Sequence, residues 1–409
     1  MVSPETERGM AMDYKIFDAD NHYYEADDAF LRFADEKVKK HVRWMSDGKR
    51  KHLFFGDRKS TGVPNPTFNP ISRPGAFHDH LKQLEEGHRP NTAAMAQKYG
   101  DLEPLTPVYR EREPRLLTMN EQNVESILMF PTLGQCVEHL MYDDVDMMYR
   151  VFRAFNTWLD TDWGFNFENR IFAIPVIPLL DVDMAVKELE WILERGARAV
   201  CLRPGPLYGR TPADPYFDPF YSLVNESGIL QTYHAIGGQS PYDDAFEMMY
   251  CQPPVYDKGY LTTLQLALTP GERPIMDTLM SLILGNFFGR FPNIKVASIE
   301  MGCTWVPYFL HSLDHAGGML DRHIEAFGQK LDVRPSEVFK ENVYISPFPE
   351  EDVVGLANLI GVDKVLMGSD WPHPEGNHVP EEYVECIASL DDASIKRIMR
   401  DNALGLIAS

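Results

Sequence analysis

A carboxylate and an imidazole two residues apart, at the end of an apolar stretch, are the first chemistry in this chain. Tyr14-Lys15-Ile16-Phe17 leads into Asp18-Ala19-Asp20-Asn21-His22-Tyr23-Tyr24-Glu25. Alternate side chains of an extended segment share a face, so Asp18, Asp20 and His22 are expected to project together. Oxygen and nitrogen donors at that spacing suit half of a metal site. An acidic turn after a strand is the plainer alternative. Other apolar runs end the same way: Ala199-Val200-Cys201-Leu202 in Arg203, Ile229 to Tyr233 in His234, Ile294 to Ile299 in Glu300, and Lys364 to Ser369 in Asp370. Singly, each has a bland explanation as a helix cap or a hydrogen-bonded core residue. Together on one rim they argue for a polar site.

The elements needed to bring them together are strands. Apolar segments beginning near Tyr14, Ser126, Ile171, Ala199, Ile229, Ile294, Val343 and Lys364 alternate with helical patterns. Short apolar strands alternating with helices imply a parallel sheet, and eight such units predict an α/β fold, a (β/α)8 TIM-like barrel with its site at the C-terminal strand ends. Helices are expected over Asp27–Lys40, Arg115–Gln122, Asp143–Trp163, Asp181–Arg195, Pro219–Ser227, Pro274–Phe291, Thr304–His315 and Glu350–Ile360, with two more closing the chain. The whole chain, 1–409, reads as a single domain. Two stretches interrupt the alternation. Residues 42–114, after strand one, carry a hairpin pattern around Asp47-Gly48 and a Pro- and Gly-rich run from Gly62 to Gly75; a lid or an oligomer interface is expected there. A second, loop-rich insertion follows strand five. The aromatic residues Trp44, Phe54, Phe55, Phe68 and Phe77 would suit a flat apolar ligand, or pack the insertion itself.

Bulk properties narrow the partners. The 409 residues carry a net charge of −22, which argues against nucleic acid or an anionic membrane. No apolar run reaches spanning length, and Met1–Met12 lack signal-peptide features. The five cysteines show no CxxC spacing, which fits free thiols in a reducing compartment. A cytoplasmic protein with a small-molecule substrate is the expectation, as a dimer or higher homo-oligomer.

The segment Phe17-Asp18-Ala19-Asp20-Asn21-His22 resembles the opening motif of the amidohydrolase-2 family, the branch with aminocarboxymuconate-semialdehyde decarboxylase and resorcylate-type decarboxylases. His234 matches that family's strand-five histidine ligand. Gly368-Ser369-Asp370-Trp371-Pro372-His373 matches its Gly-Ser/Thr-Asp-Tyr/Trp-Pro-His ending, and Phe291-Pro292-Asn293-Ile294-Lys295 its approach to strand six. One departure stands out. The family ends strand six with an acid/base histidine, and this chain has Glu300 in Ile299-Glu300-Met301-Gly302.

The resemblance implies a divalent metal (Zn, Mn or Fe) held by Asp20, His22, His234 and Asp370, acting as a Lewis acid. Glu300 is expected as general acid/base or as a further ligand. Arg203 is a candidate clamp for a substrate carboxylate or phenolate, against a structural salt bridge. His373 is expected beside the metal or facing substrate, and Glu25 is expected to be structural. Two function classes follow: a metal-dependent hydrolase or non-oxidative decarboxylase of a small aromatic or cyclic acid, and a non-haem diiron oxygenase if the carboxylate-rich set holds two ions. A metal-poor binding protein is a third, weaker class.

Overall fold

The computed structural model describes residues 12–78, 102–235, 240–250, 272–319, 331 and 333–408. Seven parallel barrel strands run in chain order: β1 Ile16–Tyr23, β2 Val124–Pro131, β3 Ile171–Ala173, β4 Ala199–Leu202, β5 Leu230–His234, β6 Val296–Ile299 and β7 Val343–Ile345. β1, β2 and β3 form one hydrogen-bonded group, and β4 to β7 another, in sequence order. The gap between β3 and β4 is bridged where Cys201 N donates to Pro175 O and Ile177 N to Cys201 O.

The eighth strand expected over Lys364–Asp370 is not a regular one. The segment is buried from Val365 onward and bonds to both neighbours at intervals. Leu366 N donates to Ile345 O, Ala19 N to Met367 O, Asp370 N to Asp20 O, and His22 N to Trp371 O. These bonds, with single parallel bridges at Ile345–Val365 and Asn21–Trp371, complete the ring. Gly368 permits this closure. A Cβ at this position would stand 2.6 Å from Asp20 Cβ, so the first and last segments approach closely only with glycine.

Helices cover the outside. Val145–Asp162 starts where Asp144 accepts from Met147 N, and buries Val151, Phe152, Phe155 and Trp158. Val182–Leu193 is capped by Asp181, and Asp218–Ser227 stops at left-handed Gly228 (φ 68°). Two helical expectations are corrected. Asp27–Lys40 is a run of turns followed by a short helix, Glu36–His41, because the Asp35 carboxylate caps Lys37 N and Val38 N. Pro274–Phe291 is two helices, Glu272–Leu284 and Phe287–Arg290, separated by left-handed Asn286. The closing helix over 392–408 is present as expected, with a π-helical stretch at Arg397–Asp401 between two α-helical ones.

In the 42–114 segment, Val42–Ser46 pairs antiparallel with Lys51–Phe55. Asp47 Oδ1 accepts from Lys49 N and Arg50 N at the turn. The following loop lies on the turn after the eighth segment: Gly75 N donates to His373 O and Phe77 N to Pro374 O. Phe55 packs edge-on against Phe30, and Phe68 stacks on Tyr24. Those two aromatics therefore pack the insertion. Most of the second insertion lies outside the described residues; Pro241–Tyr250 is helical.

Candidate metal centre

The strand ends converge. Asp20 Oδ1 lies 3.4 Å from His22 Nε2 and 3.4 Å from His234 Nε2, and the two Nε2 atoms are 3.2 Å apart. All three residues are buried. Three donors at about 2.1 Å from one ion stand about 3.4 Å apart in a tetrahedral shell and about 3.0 Å in an octahedral one. Asp370 Oδ1 is 3.3 Å from His22 Nε2, and Glu300 Oε2 is 3.3 Å from His234 Nε2. Asp370 Oδ1 is buried and makes no hydrogen bond among the described residues. The spacing and the mixed nitrogen and oxygen donors fit a divalent metal. The sequence expectation named Asp20, His22, His234, Asp370 and Glu300, and the structure brings all five together.

Local backbone sets their aim. β1 carries an extra residue relative to β2: Asp18 pairs with Ile127, and Asn21 already with Met129. That bulge re-aims the chain, so Asp18 does not share a face with Asp20 and His22 as alternation predicts. Asp18 instead accepts from Ser369 N, Ser369 Oγ and Asn21 Nδ2, fastening the first segment to the last. Glu300 and Asp370 both take left-handed backbone, φ 54° and 55°. Such geometry is costly for residues with a Cβ and clusters where side chains must be aimed.

Burial works against the charge on Asp20, but contacts with His22 and His234 outweigh it and hold its carboxyl below the usual range. Burial, reinforced by His373, holds His22 well below the ordinary imidazole value. For His234 burial acts downward, yet Asp20 and Glu300 raise it overall. Burial pushes Glu300 and Asp370 well above the carboxylate range, with Asp370 adding to the shift on Glu300 and Glu375 to that on Asp370. A cluster of three carboxylates without enough positive charge behaves this way.

Sequence reasoning missed three residues of the segment after β2: two support the donor cluster, and the third, Glu138, faces Arg203. Gln135 Nε2 lies 3.1 Å from His234 Nδ1, which also reaches Ala235 O at 2.9 Å. Gln135 Oε1 has no partner, so turning the amide lets that oxygen accept the Nδ1 proton and leaves Nε2 of the imidazole free to ligate. Thr132 Oγ1 donates to Tyr23 O and stands 3.0 Å from His373 Nε2. The available signal was slight: Thr132, Gln135 and Glu138, every third residue, stand among Leu133, Cys136 and Val137 just after an apolar strand. His373 is closer to the donors than expected: its ring stacks on His22 at 4.0 Å, and Nδ1 is 2.7 Å from Asp370 Oδ1.

Arg203 is buried and already engaged. Nη1 donates to Tyr208 Oη, which donates to Glu138 Oε1, 3.7 Å from the guanidinium. Nη2 makes no hydrogen bond among the described residues. Glu25 is structural in its contacts: Oε1 accepts from Leu133 N and Gly134 N, and burial raises its carboxyl to about 7.

Comparison with known proteins fits this geometry. The amidohydrolase family profile matches residues 85–407. The chain belongs to the amidohydrolase family. An amidohydrolase from Mycobacterium avium subsp. paratuberculosis K-10 superposes with a TM-score of 0.85 at 35% identity, over 97% of this chain and 98% of that one. A 2-amino-3-carboxymuconate-6-semialdehyde decarboxylase from Dictyostelium discoideum is 28% identical over 58% of this chain, a match that spans 60% of that protein's length. A 5-carboxyvanillate decarboxylase from Novosphingobium aromaticivorans, complexed with manganese and 4-hydroxy-3-methoxy-5-nitrobenzoic acid, shares the fold at TM-score 0.59 and 15% identity, with 97% of each chain covered. No helix among the described residues is long and apolar enough to cross a membrane.

Proposed function

We propose that this amidohydrolase is a metal-dependent, non-oxidative decarboxylase of a small aromatic acid. The observation that carries the reading is the convergence of Asp20 Oδ1, His22 Nε2 and His234 Nε2 at 3.2–3.4 Å beside two further carboxylates. The decarboxylase relatives supply the reaction class. A divalent ion on those three donors supplies Lewis-acid polarisation of the bound acid's oxygens.

The rest falls to the chain's own side chains. Losing CO2 from an aromatic ring leaves the C–C electron pair with the ring, so the carbon must gain a proton. Glu300, at the end of β6 with Oε2 3.3 Å from His234 Nε2, is the group placed to deliver it. The C–H bond forms with that proton, the C–C pair restores the ring, and CO2 leaves. Asp370 and His373 stand beside the same donors. Arg203 Nη2 is the donor left over for a substrate oxygen.

The test is manganese-loaded protein with 2,6-dihydroxybenzoate, 5-carboxyvanillate and related hydroxybenzoates, reading CO2 release and the decarboxylated phenol. Turnover of one acid supports the reading. Ester, lactone or amide cleavage with no CO2 from any acid would replace it with hydrolysis. Oxygen uptake would revive the diiron oxygenase, which gains nothing from the relatives named above.

A further inference from the structure

The loop that carries Glu300 is gripped by a carboxylate from the neighbouring loop, the one after β7. Glu351 Oε1 accepts from Cys303 N at 2.8 Å and from Thr304 N at 3.0 Å, and Oε2 accepts from Phe348 N at 2.9 Å. We infer that Glu351 is a positioning residue: by tying the loops after β6 and β7 together, it fixes the backbone from which Glu300 reaches the donor cluster. The inference rests on Glu300 delivering the proton in the proposed reaction.

The backbone here needs a hold. Glu300 and Gly302 are both left-handed, φ 54° and 61°. A residue with a Cβ keeps that conformation only where its surroundings over-determine it. Just beyond, Cys303 N and Thr304 N converge on one oxygen, and a concavity of successive backbone N–H groups suits an anion. Gly302 lets the carboxylate in: a Cβ there would stand 2.9 Å from Glu351 Oε1. The carbonyls of the same turn are tied as well, because Trp305 Nε1 donates to Met301 O at 3.1 Å and to Gly302 O at 3.0 Å.

Glu300 depends on such a hold more than its neighbours do. Asp20, His22 and His234 lie within β1 and β5, whereas Glu300 lies one residue past the end of β6. The last β5–β6 pair is His234 with Ile299, so the ladder stops short of it. With the loop fixed, Glu300 Oε2 stands 3.3 Å from His234 Nε2 and 4.0 Å from His22 Nε2. A reacting group misplaced by about 1 Å can cost about 100-fold in rate. The plainer alternative is that Glu351 only caps the helix Val306–Met319, which begins just after Thr304. A cap supports stability; a positioning residue acts on the one step that uses Glu300.

The experiment uses the full-length, manganese-loaded protein. Glu351→Ala should lower kcat for CO2 release by about 100-fold, with KM and Mn2+ content unchanged. Glu351→Gln keeps one oxygen for both Cys303 N and Thr304 N, and should hold kcat within about fivefold of the wild type. Equal losses in the two variants would place the effect in the charge and overturn the inference. In a Glu300→Gln background, Glu351→Ala should cost little of the residual turnover, because its effect runs through Glu300. A full further loss there makes Glu351 a general support and overturns the inference as well. Hydrogen exchange gives a readout that needs no turnover: the Cys303 and Thr304 amides should lose protection at least tenfold in Glu351→Ala, with the barrel strands unchanged. Unchanged protection overturns the inference. If Glu351→Ala fails to fold, Glu351→Gln is read at the Phe348 amide, where retained protection overturns it. Full turnover in Glu300→Gln sinks the proton-donor reading, and unchanged turnover in Glu351→Ala alone sinks only this inference. CO2 from no acid sinks the decarboxylase reading, while the exchange result still decides whether Glu351 holds the loop.

Discussion

The donor cluster of Asp20, His22 and His234 and the Arg203–Tyr208–Glu138 chain are both buried at the same rim, at the ends of neighbouring strands β4 and β5 and of β1. They differ in their hydrogens. Arg203 donates to Tyr208, Tyr208 donates to Glu138, and the charge is matched inside the group. In the other cluster two imidazole nitrogens and a carboxylate oxygen point at one another with no comparable supply of protons. A buried polar group is stable when its hydrogen bonds are made. The first cluster matches its charge internally and leaves one buried nitrogen, Arg203 Nη2, without a partner; the second sets two imidazole nitrogens and a carboxylate oxygen at the spacing of metal donors. That difference is the ground for proposing the second cluster, and not the first, as the metal site.

The comparison can be broken at several points. Asp20→Ala or His234→Ala should cost the largest effect, a loss of Mn2+ affinity of at least about 100-fold measured by dialysis, beyond the 10–100-fold of supporting residues. Retention of tight Mn2+ binding in both would end the distinction. Glu138→Leu should leave Mn2+ binding unchanged but strand a buried guanidinium, lowering unfolding free energy by about 3–5 kcal/mol in urea melts. A metal loss there would merge the two clusters.

Glu25 sharpens the contrast through pH. Its folded carboxyl is raised to about 7 from 4.5 by burial. Between those values the folded state holds a proton that the unfolded state has released, so stability falls as pH rises through that window and levels off above it. The span corresponds to about 3 kcal/mol. Glu25→Gln should flatten that part of the melting-temperature profile without altering metal content. The smallest effect is expected at Gln135. Gln135→Leu should weaken Mn2+ binding about tenfold, roughly 1.4 kcal/mol, by freeing the His234 ring; no change would mean that Ala235 O orients the ring unaided.

Much of this was legible in the chain. Apolar runs ending in Asp20, His234, Glu300 and Asp370 could be read because a buried strand seldom finishes in charge, and Asp181 and Gly228 marked helix ends by their own capping chemistry. The Asp27–Lys40 helix was misread because periodicity sees Phe30 and Phe33 but not the capping choice of Asp35. Asp18 was misplaced because a bulge depends on the register with β2, which lies about a hundred residues away in sequence.

By itself, the sequence determined the strand–helix alternation, the donor types and the departure at Glu300, since all follow from local pattern and residue chemistry. Only the tertiary structure decided which donors meet. Closure between Ile16–Tyr23 and the segment ending in Asp370, permitted by Gly368, sets Asp20 and His22 against Asp370. The neighbouring segment after β2 then holds the His234 and His373 rings through Gln135 and Thr132. Hydrogen-bond direction is a property of partners in space, and no spacing along the chain encodes it.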